Sequence, residues 1–151
     1  MNIREAKSVD LETVLILFAD TIKETCADAY NKEQIEAWTA SIRDKVKWLN
    51  RIKEHYFLVA EINDRTAGFA SLENYNHIDL MYVHPDYQGK GVARSLLQRL
   101  LMKAQGNSVT AHVSITAQPF FESNGFKVVK ENRFELRNVE IANFEMQLVL
   151  D

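Results

Sequence analysis

The chain alternates between two hydrophobic patterns, one typical of helices and the other typical of strands. In five segments apolar residues recur every three or four positions, as they do along one face of a helix. These segments begin, in chain order, at Ser8 or Asp10, at Asn31, near Asp44, near Val92 and near Thr116. Seven other segments are continuously apolar or alternate between apolar and polar residues, as strands do. The predicted strands are 2–6, 56–60, 67–72, 78–83, 109–113, 126–136 and 141–150.

The order of these elements predicts one α/β domain. Helices come first, a strand meander follows, and a helix–strand–helix segment leads into a final pair of strands. We expect a single domain over residues 1–151 that contains one sheet of mixed direction. A length of 151 residues suits one domain and is enough to bury a core without a disulfide or a structural metal.

Composition and charge narrow the class of protein. Hydrophobic residues make up 46% and charged residues 26% of the chain, as in ordinary soluble globular proteins. The formal charge of −3 disfavours a general binder of nucleic acid or of anionic membranes. Residues 87–121 contain no acid but include Lys90, Arg94, Arg99 and Lys103, so they carry +4 and the other 116 residues carry −7. Such a segment is either a solvated helix face or a local anion site.

Cysteine usage and apolar runs bear on the compartment. Cys26 is the only cysteine, so no internal disulfide can form, which indicates a reducing environment. The N-terminus lacks the apolar core of a secretory signal. The longest apolar run, 14–19, is far shorter than the roughly 18 residues of a membrane span. We therefore expect a cytoplasmic protein.

One glycine-containing loop, between a predicted strand and the leucine-rich helix, carries the clearest chemistry. Its sequence is Gln88-Gly-Lys-Gly-Val-Ala-Arg94. Gly89 and Gly91 allow main-chain conformations and a close ligand approach that larger residues prevent. The first amides of a helix lack internal partners and, together with the helix dipole, attract anions. With Lys90 also nearby, the loop predicts a cradle for a phosphate or pyrophosphate.

Two common phosphate-binding motifs do not fit this loop. The chain contains no G-x-x-x-x-G-K-[ST] segment, so it has no Walker loop. The Rossmann fingerprint G-x-G-x-x-G fails because Arg94 occupies the third glycine position and 109–111 contains no acid for a ribose. The pattern of Gln88–Ala93 is similar instead to the [QR]-x-x-G-x-[GA] loop of the GNAT superfamily of acyl-CoA-dependent N-acyltransferases.

Two further segments extend the resemblance to GNAT enzymes. Leu80-Met-Tyr-Val-His-Pro85 resembles the family's central strand, which ends in V-x-P. Ala117-Gln-Pro-Phe-Phe-Glu-Ser-Asn-Gly-Phe126 resembles the family's A-x-x-[FL]-Y-E-x-x-G-F segment. With the order of elements, the likeness spans nearly the whole chain. It implies a GNAT-like fold with a mixed, mostly antiparallel sheet flanked by helices, and metal-free transfer of an acetyl group from acetyl-CoA to an amine.

The resemblance also implies how the chain holds acetyl-CoA. The main chains of Met81 and Val83 would bind the pantetheine arm, and the Met81 amide would polarise the thioester carbonyl and stabilise the oxyanion. The residues whose amides would hold the pyrophosphate are Gln88, Gly89, Lys90, Gly91, Val92, Ala93 and Arg94. The Gln88 side chain has a second interpretation, a hydrogen bond that shapes the loop. Ser114 stands where many members have Asn and is a further candidate contact to the arm.

Direct attack by an amine requires a base. By position on the strand the resemblance makes His77 the first candidate, and Asp79, two residues further and on the same strand face, is the second. An unperturbed pKa of about 6.5 suits histidine to this role near neutral pH. Each residue also has a plainer interpretation, His77 as a surface histidine at a strand end and Asp79 as a structural or substrate-orienting carboxylate.

One departure from the family pattern concerns the proton donor to the CoA sulfur. The usual donor is a tyrosine, whereas the matching residue here is Phe121, whose ring can pack against the thioester but cannot donate a proton. Tyr82, Thr116 or water could serve instead, or the thiolate, with a pKa of about 8.5, could leave unassisted.

The acceptor is expected to be a small-molecule or peptide amine. By analogy with GNAT enzymes, the candidates that cover its site are Thr25, Tyr30 and Trp38. The histidines interpreted as structural are His55, His84 and His112. The sequence leaves open whether two copies form a homodimer. The alternative function is an acyl-CoA-binding sensor or interaction module in which the loss of the tyrosine reflects lost chemistry.

Overall fold

The computed structural model describes all residues from 1 to 151 as seven strands and five α-helices. The strands are β1 (Asn2–Glu5), β2 (Tyr56–Ile62), β3 (Arg65–Glu73), β4 (His77–Val83), β5 (Ser108–Val113), β6 (Lys127–Leu136) and β7 (Val139–Val149). The helices are α1 (Leu11–Thr25), α2 (Lys32–Thr39), α3 (Lys45–Glu54), α4 (Val92–Lys103) and α5 (Gln118–Ser123). Every predicted strand is present, and no strand end differs from its predicted position by more than two residues. None of the five helices has the length and apolarity needed to cross a membrane.

All seven strands form one sheet in the order β1-β2-β3-β4-β5-β7-β6. Only β4 and β5 pair in parallel, and every other neighbouring pair is antiparallel. Parallel neighbours need a long crossover connection, and α4 provides it between β4 and β5. The sheet is therefore mixed and mostly antiparallel, which confirms the predicted fold class.

Short turns with left-handed residues set the register of two hairpins. Asn63 and Asp64, with φ of 51° and 63°, connect β2 to β3. Arg137 and Asn138, with φ of 50° and 65°, connect β6 to β7. Positive φ at both central positions is typical of type I′ turns, whose twist matches that of the flanking strands. The second of these hairpins forms one wall of the cavity described below.

Helices cover both faces of the sheet and create two separate cores. On one face Leu96, Leu97 and Leu100 of α4 belong to a cluster of 17 buried residues. On the other face α1, α2 and α3 contribute to a cluster of 15, in which Trp48 and Phe57 are almost fully buried. Full burial of such a side chain contributes about 1.5–3 kcal/mol. The sheet is thus held rigidly from both sides around β4.

A β-bulge interrupts β4 at the centre of the sheet. Ser71 of β3 lies opposite Leu80 and Leu72 lies opposite Ile78, so Asp79 is an extra residue with no partner on β3. The bulge changes the alternation of side chains. Ile78 belongs to the core beneath α4, whereas Leu80, two residues further, belongs to the core beneath α1–α3.

On its other side β4 separates from β5 after a very short contact. The two strands pair only through His77 with Thr110 and Ile78 with Ala111. From the bulge onward the remainder of β4 has no partner on that side. The parallel pair therefore opens into a gap in the middle of the sheet.

Candidate active site

A cavity of about 270 Å³ lies where β4 and β5 separate. Two walls come from the separating strands, namely Ile78–Tyr82 of β4 and residues 111–114 at the end of β5. The other walls come from α1–α3 with the segments between them, from α5 and the residue before it, and from the β6–β7 hairpin. Of the 21 residues that line it, 14 are hydrophobic. A mostly apolar cavity with a few polar groups is the usual form of a small-molecule site.

The glycine loop lies between β4 and α4 and is open to solvent. Gly89 and Gly91 have φ of 72° and 81°, a region that residues with a side chain rarely adopt. A Cβ added at either position would meet no other atom within 4 Å. Gly91 caps α4 without a side-chain hydrogen bond, so the amides of Val92, Ala93 and Arg94 lack helical partners. Open space in front of free amides, at a helix end with no acid in its first turn, fits a phosphate.

The Gln88 side chain fixes the loop to the end of β4. Its Nε2 donates a hydrogen bond of 2.8 Å to the main-chain oxygen of Val83. This contact is the loop-shaping hydrogen bond of the second interpretation of Gln88, and it leaves the main-chain amides as the groups of the loop that are free for an anion. Lys90 is an exposed residue of this loop and adds positive charge to it.

The main chain of Met81 and Val83 faces the gap in the sheet. The N–H of His84 donates to the oxygen of Ala67 at 2.8 Å, so His84 is turned towards β3. Because the polar groups of successive strand residues alternate in direction, those of Tyr82 also face β3 and those of Val83 and Met81 face away. The Val83 oxygen already accepts the Gln88 side chain, so the groups open for a pantetheine arm are the Val83 N–H and the main chain of Met81.

Asp79 lines the cavity and lies next to Arg51 and His55. Its Oδ2 lies 3.2 Å from Nε of Arg51 and 3.7 Å from Nδ1 of His55. Oδ2 is closed to solvent and accepts no directed hydrogen bond, so the ionic contact with Arg51 compensates for its burial. His55 is itself anchored by Ser71 at 3.3 Å and Glu73 at 3.4 Å. The side chain of Asp79 is 23% exposed through its other atoms.

His77 lies beside the cavity but does not line it. Its Nδ1 is 2.7 Å from the hydroxyl oxygen of Thr110, and its ring meets His112 edge-on with centroids 5.0 Å apart. Burial, and then the neighbouring His112, lower the pKa of His77 below its usual value. The imidazole therefore stays neutral to lower pH than a free histidine. Of the two candidate bases, the structure brings only Asp79 into the cavity.

Phe121 forms part of the cavity wall on the side of α5. The side chain is buried, with 3% of the residue exposed, and it packs edge-on against Phe120 and Phe126. Ser114 also lines the cavity, and its Oγ accepts a hydrogen bond of 3.1 Å from the amide of Ala117. The Ser114 hydroxyl thus helps to begin the turn that leads into α5.

The candidate proton donors differ in their placement. Tyr82 lines the cavity and packs edge-on against Phe18 with centroids 4.9 Å apart. Burial is the main cause of a strongly raised pKa of the Tyr82 phenol, which makes it a weaker acid than free tyrosine. Thr116 is exposed and does not line the cavity.

Two of the three candidate acceptor residues reach the cavity. Tyr30 and Trp38 line it and pack edge-on with centroids 5.3 Å apart. The Tyr30 hydroxyl donates a hydrogen bond to the oxygen of Ala142 at 2.7 Å and accepts one from the amide of Ile115 at 3.0 Å. The hydroxyl therefore acts as both a donor and an acceptor within the protein. Burial raises the pKa of Tyr30. Thr25 instead donates to the main chain of its own helix at 2.6 Å.

Most of the lining residues were not found from the sequence, including two cations and two residues of the β6–β7 hairpin. Lys47 and Arg51 lie one turn apart on α3, and Phe134 and Asn143 come from the β6–β7 hairpin. Lys47 and Arg51 are four residues apart, and this spacing alone indicates that they lie on the same face of a helix. His112, which the sequence suggests is structural, also reaches the lining.

Comparison with known proteins shows that the chain is related to acetyltransferases. An acetyltransferase (GNAT) domain model matches residues 26–148. The uncharacterised N-acetyltransferase YafP of Escherichia coli K12 is 36% identical over 148 residues, which cover 97% of this chain and 95% of YafP. The chain belongs to the GNAT acetyltransferase family.

Two solved structures agree with this assignment. A GCN5-related N-acetyltransferase from Rhodopseudomonas palustris superposes with a TM-score of 0.96 at 31% identity, covering 99% of this chain and 95% of that one. The PaiA N-acetyltransferase of Thermoplasma acidophilum, in complex with coenzyme A, gives a TM-score of 0.79 at 25% identity, covering 99% and 98%. Both similarities extend over the complete fold.

Replacing Gly91 by valine tests the phosphate cradle. We expect the affinity for acetyl-CoA, measured by calorimetry, to fall at least about tenfold, because the side chain enters the space before the helix amides. Gly106→Val is the matched control, since Gly106 also has a positive φ, 92°, and open space around it, but lies in the turn after α4. Unchanged affinity in Gly91→Val, or an equal loss in Gly106→Val, would refute the cradle.

Proposed function

We propose that this GNAT protein is an N-acetyltransferase that transfers the acetyl group of acetyl-CoA directly to the amine of a small molecule or peptide within a ternary complex. The observation that supports this most is the gap between β4 and β5, which lies between a phosphate-fitting loop and a cavity that contains a carboxylate. We place the enzyme in the reducing environment of the cytoplasm, where the single Cys26 stays a thiol.

The main chain would hold the cosubstrate. The loop from Gln88 to Arg94 surrounds the pyrophosphate with amides, and the open edge of β4 at Met81 and Val83 binds the pantetheine arm. Acetyl-CoA supplies the thioester, whose acetyl carbon bonds to the amine nitrogen while its bond to sulfur breaks and the electron pair leaves on sulfur. The Met81 amide donates a hydrogen bond to the carbonyl oxygen as negative charge develops there.

Asp79 is the residue that we propose accepts the proton of the attacking amine. It is the candidate base that lines the cavity, and Arg51 and His55 fix its orientation. A positioned base of this kind typically contributes about 10²–10⁴-fold to the rate. His77, which is hydrogen-bonded to Thr110 outside the cavity lining, supports the point where β4 and β5 still pair.

The leaving thiolate would take its proton from water. Phe121 has no proton to donate, the raised pKa of Tyr82 makes it a weak acid, and Thr116 does not line the cavity. A thiolate with a pKa of about 8.5 is a tolerable leaving group without a protein acid. Phe121 then contributes packing and excludes water from the acyl end of the site.

A broad panel of amines with detection of released thiol tests the proposal as a whole. Acetyl-CoA-dependent thiol release with at least one amine is expected, together with formation of the acetylated amine. Binding of acetyl-CoA with no transfer to any amine and no slow hydrolysis would contradict enzymatic function and would favour an acyl-CoA-binding module.

Asp79→Asn separates the two candidate bases. We expect kcat with the best amine to fall at least about 100-fold in Asp79→Asn and by less than about threefold in His77→Gln, because only the first removes a carboxylate from the cavity. Acetyl-CoA affinity, measured in parallel, should stay near that of the unmodified protein. A large loss in His77→Gln with little effect of Asp79→Asn would reverse the assignment.

Phe121→Tyr tests the departure from the family pattern. The added hydroxyl stands where relatives are expected to place their donor, so turnover should be equal or higher. Phe121→Ala should instead reduce the free energy of unfolding by about 3–5 kcal/mol, because it leaves a cavity in a packed aromatic cluster. Loss of turnover in Phe121→Tyr with normal folding and acetyl-CoA binding would mean that the site has no room for a hydroxyl.

A further inference from the structure

We infer that the acceptor carries a carboxylate next to its amine and a large apolar group, as a free apolar α-amino acid does. This inference rests on the proposed function, because it names the acceptor of the same site. Three features of the cavity lead to it: two neighbouring cations on α3, of which Lys47 has no acidic partner, the ionic contact between Arg51 and Asp79, and an aromatic lining that is partly open to solvent.

The first feature is the positive charge of α3 in the cavity wall. Lys47 and Arg51 lie one helical turn apart and both line the cavity. Two like charges at this spacing repel each other, so they do not stabilise the helix. The ion pairs of α3 are Lys45 with Glu12 and Arg51 with Asp79, which leaves Lys47 without an acidic partner. A negatively charged ligand group would relieve this repulsion.

The second feature is the way in which Arg51 is held. It contacts Asp79 through Nε at 3.2 Å, and its guanidinium lies over the ring of Trp48 at 4.9 Å. The contact through Nε leaves four N–H donors on the two Nη atoms for a ligand. A guanidinium that is already oriented binds the two oxygens of a carboxylate well, because its planar donors match their geometry.

The contact between Arg51 and Asp79 places a positive and a negative group side by side on the cavity wall. An α-amino acid carries an ammonium and a carboxylate on one carbon, which is the complementary arrangement. Its amine would approach Asp79, the proposed base, and its carboxylate would lie against Arg51 and Lys47. The reacting nitrogen is thereby placed at the gap where the Met81 main chain is open.

The third feature is the apolar remainder of the cavity. Trp38, Phe134 and Ile141 line the cavity, and Phe134 is 39% exposed although it is a large hydrophobic residue. Asp79 is the only acid in the lining. Such a wall suits a bulky apolar side chain and contains no acid that could pair with a second ammonium group.

A neighbouring groove provides the contrasting case. It shares Lys47, Arg51 and Asp79 with the cavity but adds the acids Asp44, Glu54 and Glu73. A polyamine could extend its distal ammonium groups into this groove. Because such a ligand would have to pass two cations to reach it, we favour the carboxylate-bearing acceptor and make the polyamine an outcome of the test.

The experiment compares L-phenylalanine, L-leucine and L-tryptophan with their carboxamides and with the corresponding primary amines, and includes spermidine. For the unmodified protein we expect kcat/KM to be at least about tenfold higher for one of the amino acids than for its carboxylate-free analogues, mainly through a lower KM. Equal use of the analogues, or a preference for spermidine, would overturn the inference.

Charge-removing variants on α3 then identify the cause. The ratio of kcat/KM between the amino acid and its amine should fall at least about tenfold in Arg51→Gln, less in Lys47→Gln, and recover partly in Arg51→Lys. Lys53→Gln is the matched control, because Lys53 is on the same helix and outside the cavity. Lys47 is exposed, so its variant stays informative if Arg51→Gln is destabilised. An unchanged ratio in folded Arg51→Gln and Lys47→Gln, or an equal fall in Lys53→Gln, contradicts the inference.

The two proposals fail in different ways. Transfer to amines without any preference for a carboxylate contradicts the acceptor class and leaves the acetyltransferase proposal standing. Binding of acetyl-CoA without transfer to any amine contradicts the acetyltransferase proposal itself.

Discussion

The early separation of β4 from β5 is the constraint on which the rest of the site depends. Two residue pairs hold the strands together, and the bulge at Asp79 follows them directly. An extra residue bends its strand and increases the local twist, so β4 turns away from its parallel neighbour. The same bulge brings Asp79 to the cavity and leaves the Met81 main chain without a partner on the side of β5. The proposed base and oxyanion donor thus result from one irregularity in a sheet packed on both faces.

The electrostatics of the protein are local, although its net charge is small. The formal charge is −3, but the acid-free stretch 87–121, which contains α4, is positively charged. A second basic helix, α3, lies on the opposite face of the sheet. The start of α4 provides free amides and the positive end of the helix dipole at Gly91, which favour an anion. Helix α3 places Lys47 and Arg51 in the wall of the cavity. Overall charge therefore excludes general polyanion binders but does not describe the chemistry of either site.

Local structure could be predicted from the sequence, whereas the parts of the candidate site that depend on the path of the chain could not. The loop Gln88–Arg94 could be predicted as a candidate phosphate site because its glycines, its helix start and its lack of acids are contiguous in the chain. Regular alternation predicts His77 and Asp79 on one strand face, but Asp79 is a bulge residue, and the bulge depends on how β4 pairs with β3. Arg51 and Phe134 escaped notice because they approach the cavity through α3 and the β6–β7 hairpin, which tertiary packing alone brings together.

Amide hydrogen exchange at β4, followed by NMR, tests the central claim most directly. In the free protein the Met81 amide should exchange at least about tenfold faster than that of Tyr82, which faces β3, and saturating acetyl-CoA should slow the exchange of Met81 and Val83 with little change at Tyr82. Strong protection of Met81 in the free protein, or exchange at Met81 and Val83 that does not respond to bound acetyl-CoA, would contradict an open strand edge that holds the cosubstrate.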